Sequence, residues 1–136
     1  MSEAGEARPV RPDDIDKLRA LWQVAGMSEG PVPLEVELPH LDAELFLVVE
    51  REGELIASAL GTFDGRRGTL SRVAVHPGWQ GHGLASGLVA EVERRLRDRG
   101  CVKVNLWMDP ETAALQGFYE RLGYSAKSLI FMDKQL

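Results

Sequence analysis

Between residues 84 and 96 the apolar positions recur at helical spacing. Leu84, Leu88, Val92 and Leu96 form a stripe, with Ala85 and Val89 beside it. The other face carries Glu91, Glu93, Arg94, Arg95, Arg97 and Asp98. Glu91–Arg95 and Glu93–Arg97 are spaced as favourable pairs, each worth about 0.2–0.5 kcal/mol. Gly100 stands where a left-handed residue would end the helix.

Upstream of this helix the pattern is that of strands. "ELFLVVE" is apolar and branched, "REGE" is a hairpin signal, and "LIASALGTF" is the return strand. "DGRRG" is a second turn and "TLSRVAV" a third strand, which makes an antiparallel meander. Beyond the helix, "CVKVNLW" alternates as a strand. Because it is entered through a helix, it is expected to lie parallel to the third meander strand.

The ends are less regular. Residues 1–6 are expected to be frayed, and "ARPVRPDD" reads as an edge strand tolerant of Pro9, then a helix start at Pro12–Asp14. Ile15, Leu18, Leu21 and Trp22 predict a helix that "GMSEGPVP" breaks. A second helix is expected over Leu34–Ala43, irregular at Pro39. Asp109-Pro110 starts another, with Leu115, Phe118, Tyr119 and Leu122 as its stripe and Gly123 as its cap. "SLIFMD" reads as a last strand. The expected order is β-α-α-β-β-β-α-β-α-β, an α/β (α+β) chain with a mixed sheet and helices on both faces. We expect residues 1–136 to form one domain, since no repeat, low-complexity tract or long linker divides them.

Composition narrows the classes of function. The net charge is −5, which argues against a nucleic-acid partner bound by phosphate neutralisation. No apolar run approaches the ~18 residues of a membrane span, and the acidic start "MSEAGEARP" lacks the apolar core of a signal peptide. The expected location is therefore cytoplasmic, with no membrane partner. There is a single cysteine, Cys101, expected to be a small buried side chain in a strand. His40, His76 and His82 are not spaced as a metal set with it, so no metal is expected.

The chemistry concentrates in "QGHGLAS", where the third meander strand gives way to the long helix. Glycines at 81 and 83 let backbone N–H groups converge, and the helix from Leu84 adds its uncapped N–H groups and dipole. Together they suit a diphosphate, with Ser86 able to add a hydroxyl. A dinucleotide loop of the G-x-G-x-x-x-G kind is one alternative. It sits poorly here, because His76–Gln80 separate the strand from Gly81 and a meander comes first. A glycine-rich structural turn is another.

"VAVHPGWQGHGLASGLV" resembles the acyl-CoA motif of the GNAT superfamily of N-acetyltransferases, Q/R-x-x-G-x-G/A, here Gln80-x-x-Gly83-x-Ala85. "GFYERLGY" is similar to the family's second signature, a tyrosine on the helix before a Leu-Gly-aromatic turn. The resemblance spans nearly the whole chain, and the expected element order is similar to the family's. "ELFLVVEREGELIASALGTFDGRRG" resembles the YpeA-like branch of small bacterial members.

The resemblance implies a GNAT-like fold and acetyl-CoA as cosubstrate. It implies that Gln80, Gly81, His82, Gly83, Leu84 and Ala85 hold the diphosphate. The backbone of Val73, Ala74 and Val75 would pair with the pantetheine arm where this strand splays from the next. Tyr119, which its apolar stripe alone would leave as a core tyrosine with its hydroxyl at the edge, would be the general acid. A phenol of pKa ~10 can protonate a departing thiolate whose thiol has a pKa of ~8.5. Three departures stand out. Thr112 replaces the asparagine frequent seven residues before the tyrosine, Gln80 replaces the frequent arginine, and Ser71-Arg72-Val73 carries no carboxylate to serve as base.

The remaining polar residues have plainer readings. His76 reads as a turn residue, His82 as a solvated loop side chain, and Trp79 as a lid or filler. Glu44, Asp64, Asp109 and Glu111 read as turn or cap residues, and the two arginines of "DGRRG" as a solvated turn. For Arg72, binding an acceptor carboxylate is the lesser of its readings. No base is assigned. The expected activity is transfer of an acetyl group to a primary amine, on a small molecule or on a protein or peptide, by direct attack in a ternary complex. A homodimer is compatible with this. The alternative is a non-catalytic acyl-CoA-binding or sensing module.

Overall fold

The computed structural model describes residues 5–108 and 114–136. The chain divides into two compact units, Met1–Leu106 and Trp107–Leu136.

The first unit is built on a five-stranded sheet of order β1-β2-β3-β4-β5. The strands are β1 (Ala7–Pro9), β2 (Phe46–Arg51), β3 (Glu54–Phe63), β4 (Gly68–Val75) and β5 (Val104–Asn105). The helices are α1 (Ile15–Val24), α2 (Leu34–Glu37) and α3 (Leu84–Asp98). β1 to β4 are antiparallel neighbours, and β5 joins β4 in parallel, as a strand entered through a helix should. Pro9 lies on the edge strand β1, where a missing N–H costs least. The β2–β3 hairpin turns on Glu52-Gly53, both left-handed at φ +54° and +82°, which matches the twist of the flanking strands.

Helices cover both faces of the sheet. Leu18, Leu21 and Trp22 of α1 share a buried cluster with Phe46, Val48, Leu60 and Ala74. On the other face, Gly61 lies under α3: a Cβ there would stand 2.6 Å from Val92 Cγ1. The predicted stripe of α3 is the buried one, Leu84, Leu88, Val89, Val92 and Leu96. The expected Glu91–Arg95 pair forms at 2.8 Å, and Gly100 adopts φ +89° just past the helix.

The expected helix over Leu34–Ala43 is shorter. It is α-helical only through Glu37, then 3-10 from Leu38 to His40, with a separate 3-10 turn at Ala43–Leu45. Pro39 is the physical reason, since it has no N–H to continue the ladder. The expected fraying of residues 1–6 falls partly on Met1–Ala4, outside the described residues; Gly5 already forms a bridge.

The second unit holds α4 (Gln116–Arg121). The expected helix start at Asp109-Pro110 lies outside the described residues. The expected final strand, "SLIFMD", does not form: among the described residues, 125–136 carry no strand. A strand exists only through a ladder partner, and the described part of this unit has none to pair with. Leu129, Ile130, Phe131 and Met132 are exposed, so their apolar run does not report burial. Phe131 instead stacks on Trp107, ring centroids 5.7 Å apart.

Candidate functional site

The far end of β4 has an open edge. The β4–β5 ladder consists of Gly68↔Val104 and Thr69↔Asn105, so among the described residues β4 beyond Thr69 is paired on its β3 side alone. Within that stretch the register with β3 slips: Ser58 faces Ala74 but Leu60 faces Ser71. Ala59 thus opposes both Arg72 and Val73, which is a β-bulge.

The bulge inverts which backbone groups face outward. The Gly68 N–H points to β5, donating to Lys103 O at 3.1 Å. Regular alternation would send every second residue after it, including Ala74 and His76, the same way. Instead the His76 N–H donates to Ile56 O of β3 at 2.8 Å. Val73 and Val75 therefore turn their N–H and C=O groups to the open edge. Ala74 faces β3, and its side chain is buried.

The chain then enters the glycine loop. His76 Nδ1 accepts the Gly78 N–H at 3.0 Å and caps a 3-10 turn, Pro77–Trp79, which agrees with its reading as a turn residue. Gly81 and Gly83 are left-handed at φ +82° and +76°. A Cβ at Gly81 would meet no atom within 4 Å, and one at Gly83 only Ser86 Oγ at 3.9 Å. The backbone angles favour glycine there, and the space in front of both residues is open.

Gly83 precedes α3 without any side-chain cap, and no acidic residue lies in the first turn. The N–H groups of Leu84, Ala85 and Ser86 have no intrahelical acceptor, so this helix start favours an anion. Ser86 Oγ donates to Gly83 O at 3.2 Å, and the buried Leu84 side chain anchors the helix start. Gln80 is exposed, and Ala85 is half-buried.

His82 folds back on its own loop. Its Nδ1 lies 3.0 Å from Trp79 O and 3.1 Å from Gln80 O. Both neighbours are acceptors, so Nδ1 carries the proton. The ring packs against Trp79 with centroids 5.3 Å apart, and the Arg51 guanidinium sits 5.2 Å from the centre of the same indole.

In the second unit, Tyr119 is the buried residue of α4. Phe118 and Tyr124 meet its ring edge-on, with centroids at 4.9 and 5.9 Å. Its carbonyl accepts the N–H groups of Leu122 and Tyr124, both at 3.0 Å, closing the helix at Gly123. Burial pushes its phenol above the ordinary value, so it stays protonated at neutral pH. Asp109, Glu111 and Thr112 lie outside the described residues.

Several polar candidates are committed elsewhere. Asp64 Oδ1 accepts the Arg67 and Arg66 N–H groups, both at 2.7 Å, and these hold its carboxyl below the usual range. Glu44 pairs with Arg95 at 2.9 Å. Glu29, bonded by Arg19 and by the Leu34 N–H, is held down to about 2 and is too weak a base for neutral pH. Arg72 donates to the Ser28 and Glu29 carbonyls and covers Trp22, which gives its side chain a structural role. Cys101 is buried, and its thiol donates to Lys103 O at 3.3 Å. Among the described residues no three His, Cys, Asp or Glu side chains are grouped to hold a metal. Sequence reasoning missed the structural importance of Ser58; a buried hydroxyl inside "LIASALGTF" is the one signal that could have marked it.

Residues 15–124 match the model of the Acetyltransferase (GNAT) family. An acetyltransferase of Yersinia pestis (strain Pestoides F) is 34% identical over 135 residues, covering 96% of this chain and 95% of that protein. One from Pectobacterium atrosepticum is 35% identical over the same length, with the same coverage. Among solved structures, AAC(6')-Iy in complex with the bisubstrate analogue CoA-S-monomethyl-acetylneamine aligns with a TM-score of 0.73 at 19% identity, covering 96% of this chain and 98% of that one. Glucosamine-6-phosphate N-acetyltransferase from Arabidopsis thaliana aligns with a TM-score of 0.67 at 23% identity, covering 95% and 97%.

Proposed function

The chain belongs to the Acetyltransferase (GNAT) family, and on that premise we propose that it moves an acetyl group from acetyl-CoA to a primary amine by direct attack in a ternary complex. One observation carries the donor assignment. Two left-handed glycines, Gly81 and Gly83, leave open space before them at the uncapped N-terminus of a long helix. That geometry suits the CoA diphosphate, which the N–H groups from Gly81 to Ser86 would hold without any cationic side chain in the loop. The same donor chemistry appears in the CoA-containing analogue bound to AAC(6')-Iy.

The open edge of β4 supplies the next contact. Val73 and Val75 present N–H and C=O groups as a neighbouring strand would, and the amide-bearing pantetheine arm can pair with them. One of those N–H groups can stabilise charge developing on the acetyl oxygen. The amine forms its bond to the carbonyl carbon as the C–S bond breaks, and the electron pair leaves on sulfur. Tyr119 is the proposed acid for that thiolate, since burial keeps its phenol protonated at neutral pH. No base is assigned: an amine arriving neutral needs none before attack, and the proton its nitrogen sheds as the amide forms passes to water.

The acceptor is an amine of a small molecule or of a peptide. The "ELFLVVEREGELIASALGTFDGRRG" stretch supports the YpeA-like branch, and a cytoplasmic location suits the donor. The deciding test is release of free CoA thiol from acetyl-CoA across a panel of small amines and peptides. Amine-dependent release is expected. Tight acetyl-CoA binding with no release for any amine would favour the non-catalytic sensing module.

A further inference from the structure

Arg72 is left-handed at φ +55° in the middle of a strand. Among the described residues the other non-glycine with positive φ is Glu52, which sits in a hairpin that requires it. No turn requires the angle at Arg72, so something else holds it.

Ser58, Trp22 and two carbonyls of the loop after α1 hold it. Ser58 is wholly buried in β3, directly beside the bulge. Its Oγ donates to the Arg72 carbonyl at 2.8 Å and accepts the Trp22 indole N–H at 3.0 Å. The Arg72 side chain returns to the same indole, with its guanidinium carbon 4.5 Å from the ring centroid. It also donates to the Ser28 and Glu29 carbonyls, in the loop that follows α1. Phe46 lies parallel to Trp22, ring centroids 6.4 Å apart, and fixes the indole from within the core. The bulged residue is thus tied to Trp22 twice: through its backbone by way of Ser58, and through its side chain directly.

We propose that Trp22, Ser58 and Arg72 form a relay of positioning residues that sets the β4 bulge, and thereby selects Val73 and Val75 as the backbone that receives the donor's arm. This rests on the acyl-CoA reading. The extra residue at the bulge inverts the alternation of the strand. Without it, Ala74 and His76 would face the open edge, and Val73 and Val75 would face β3. The edge would still be a strand edge, but its donors and acceptors would be displaced by one residue against an arm whose far end is fixed at the glycine loop. The relay therefore acts on the arm and leaves the diphosphate alone.

The test separates those two parts of the ligand. Calorimetric titrations compare acetyl-CoA with adenosine 3′-phosphate 5′-diphosphate, which keeps the diphosphate and lacks the arm. In Ser58→Ala, acetyl-CoA affinity should fall at least tenfold, while affinity for the arm-less nucleotide stays within twofold of wild type. Ser58→Ala orphans the buried Trp22 N–H, so the double variant Ser58→Ala/Trp22→Phe is measured beside it. It removes donor and acceptor together, is expected to fold, and should show the same selective loss. Unchanged acetyl-CoA affinity in the folded double variant, or equal losses for both ligands, would overturn the relay. Wild-type protein that binds neither ligand would overturn the acyl-CoA reading itself, and the relay's task with it.

Discussion

Asp14 receives both terminal nitrogens of Arg8, Nη1 to Oδ2 at 2.8 Å and Nη2 to Oδ1 at 2.9 Å, at the seam between the edge strand β1 and the start of α1. The carboxylate is almost wholly buried, and the Arg11 N–H also donates to it, at 2.7 Å. Glu50 of β2 takes a third carboxylate bond from Arg8 and one from Lys17. The network ties the first strand and helix to the meander.

This arrangement predicts an acid limb of stability. Burial opposes ionisation of Asp14, but the bonds from Arg8 and Arg11 outweigh it and leave the carboxyl below its ordinary value. A lowered native pKa gives stability that is complete above the unfolded value of ~3.9 and is lost as pH falls through the native one. Arg8→Met should strand the buried carboxylate and cost about 3–5 kcal/mol at pH 7 in urea unfolding. That cost should shrink as pH falls, because without Arg8 burial raises the Asp14 carboxyl and protonation relieves the stranded charge. A cost below ~1 kcal/mol would mean that the pair is screened like a surface bridge.

The glycine loop predicts a contrast between two substitutions of the same kind. Gly83 and Gly65 are both left-handed, and a Cβ at Gly65 would meet nothing within 4 Å. Gly83→Val and Gly65→Val should each lose about 1–2 kcal/mol or somewhat more through backbone strain. Only Gly83→Val should abolish acetyl-CoA binding, because the space its side chain enters is the space assigned to the diphosphate. Equal affinities in the two folded variants, measured by calorimetry, would contradict the cradle.

Tyr119→Phe removes one oxygen from a buried ring that Phe118 and Tyr124 already hold edge-on. Stability should change by about 1 kcal/mol or less. If the phenol is the acid, turnover should fall roughly 10²–10⁴-fold while the separately measured acetyl-CoA affinity stays near wild type. Because burial raises the phenol's pKa, no loss of activity from its ionisation is expected below pH ~10. Wild-type turnover in the variant would return Tyr119 to a packing role.

Periodicity was the most informative feature of the sequence. The stripe Leu84–Leu88–Val92–Leu96 marked α3 and its buried face, and the hairpin signals at Gly53 and "DGRRG" marked the meander. The glycine loop was readable for the same local reason, since left-handed backbone favours glycine at 81 and 83. Long-range features were not readable. The β4 bulge depends on Ser58 meeting Arg72 across the sheet and on Trp22 arriving from α1, and no spacing along the chain encodes that meeting. "SLIFMD" misled because an apolar, branched run expresses strand propensity but does not supply a ladder partner. The structural role of Arg72 was equally hidden, because its carbonyl acceptors at Ser28 and Glu29 lie more than forty residues away along the chain.

The central claim is that the loop from Gln80 to Ser86 holds the diphosphate of acetyl-CoA. Its most direct test is the stability of the wild-type protein with each of two ligands present in turn. Acetyl-CoA at one hundred times its Kd should raise unfolding free energy by about 2.7 kcal/mol, and NAD at the same concentration should leave it unchanged. Stabilisation by NAD with none by acetyl-CoA would contradict the account.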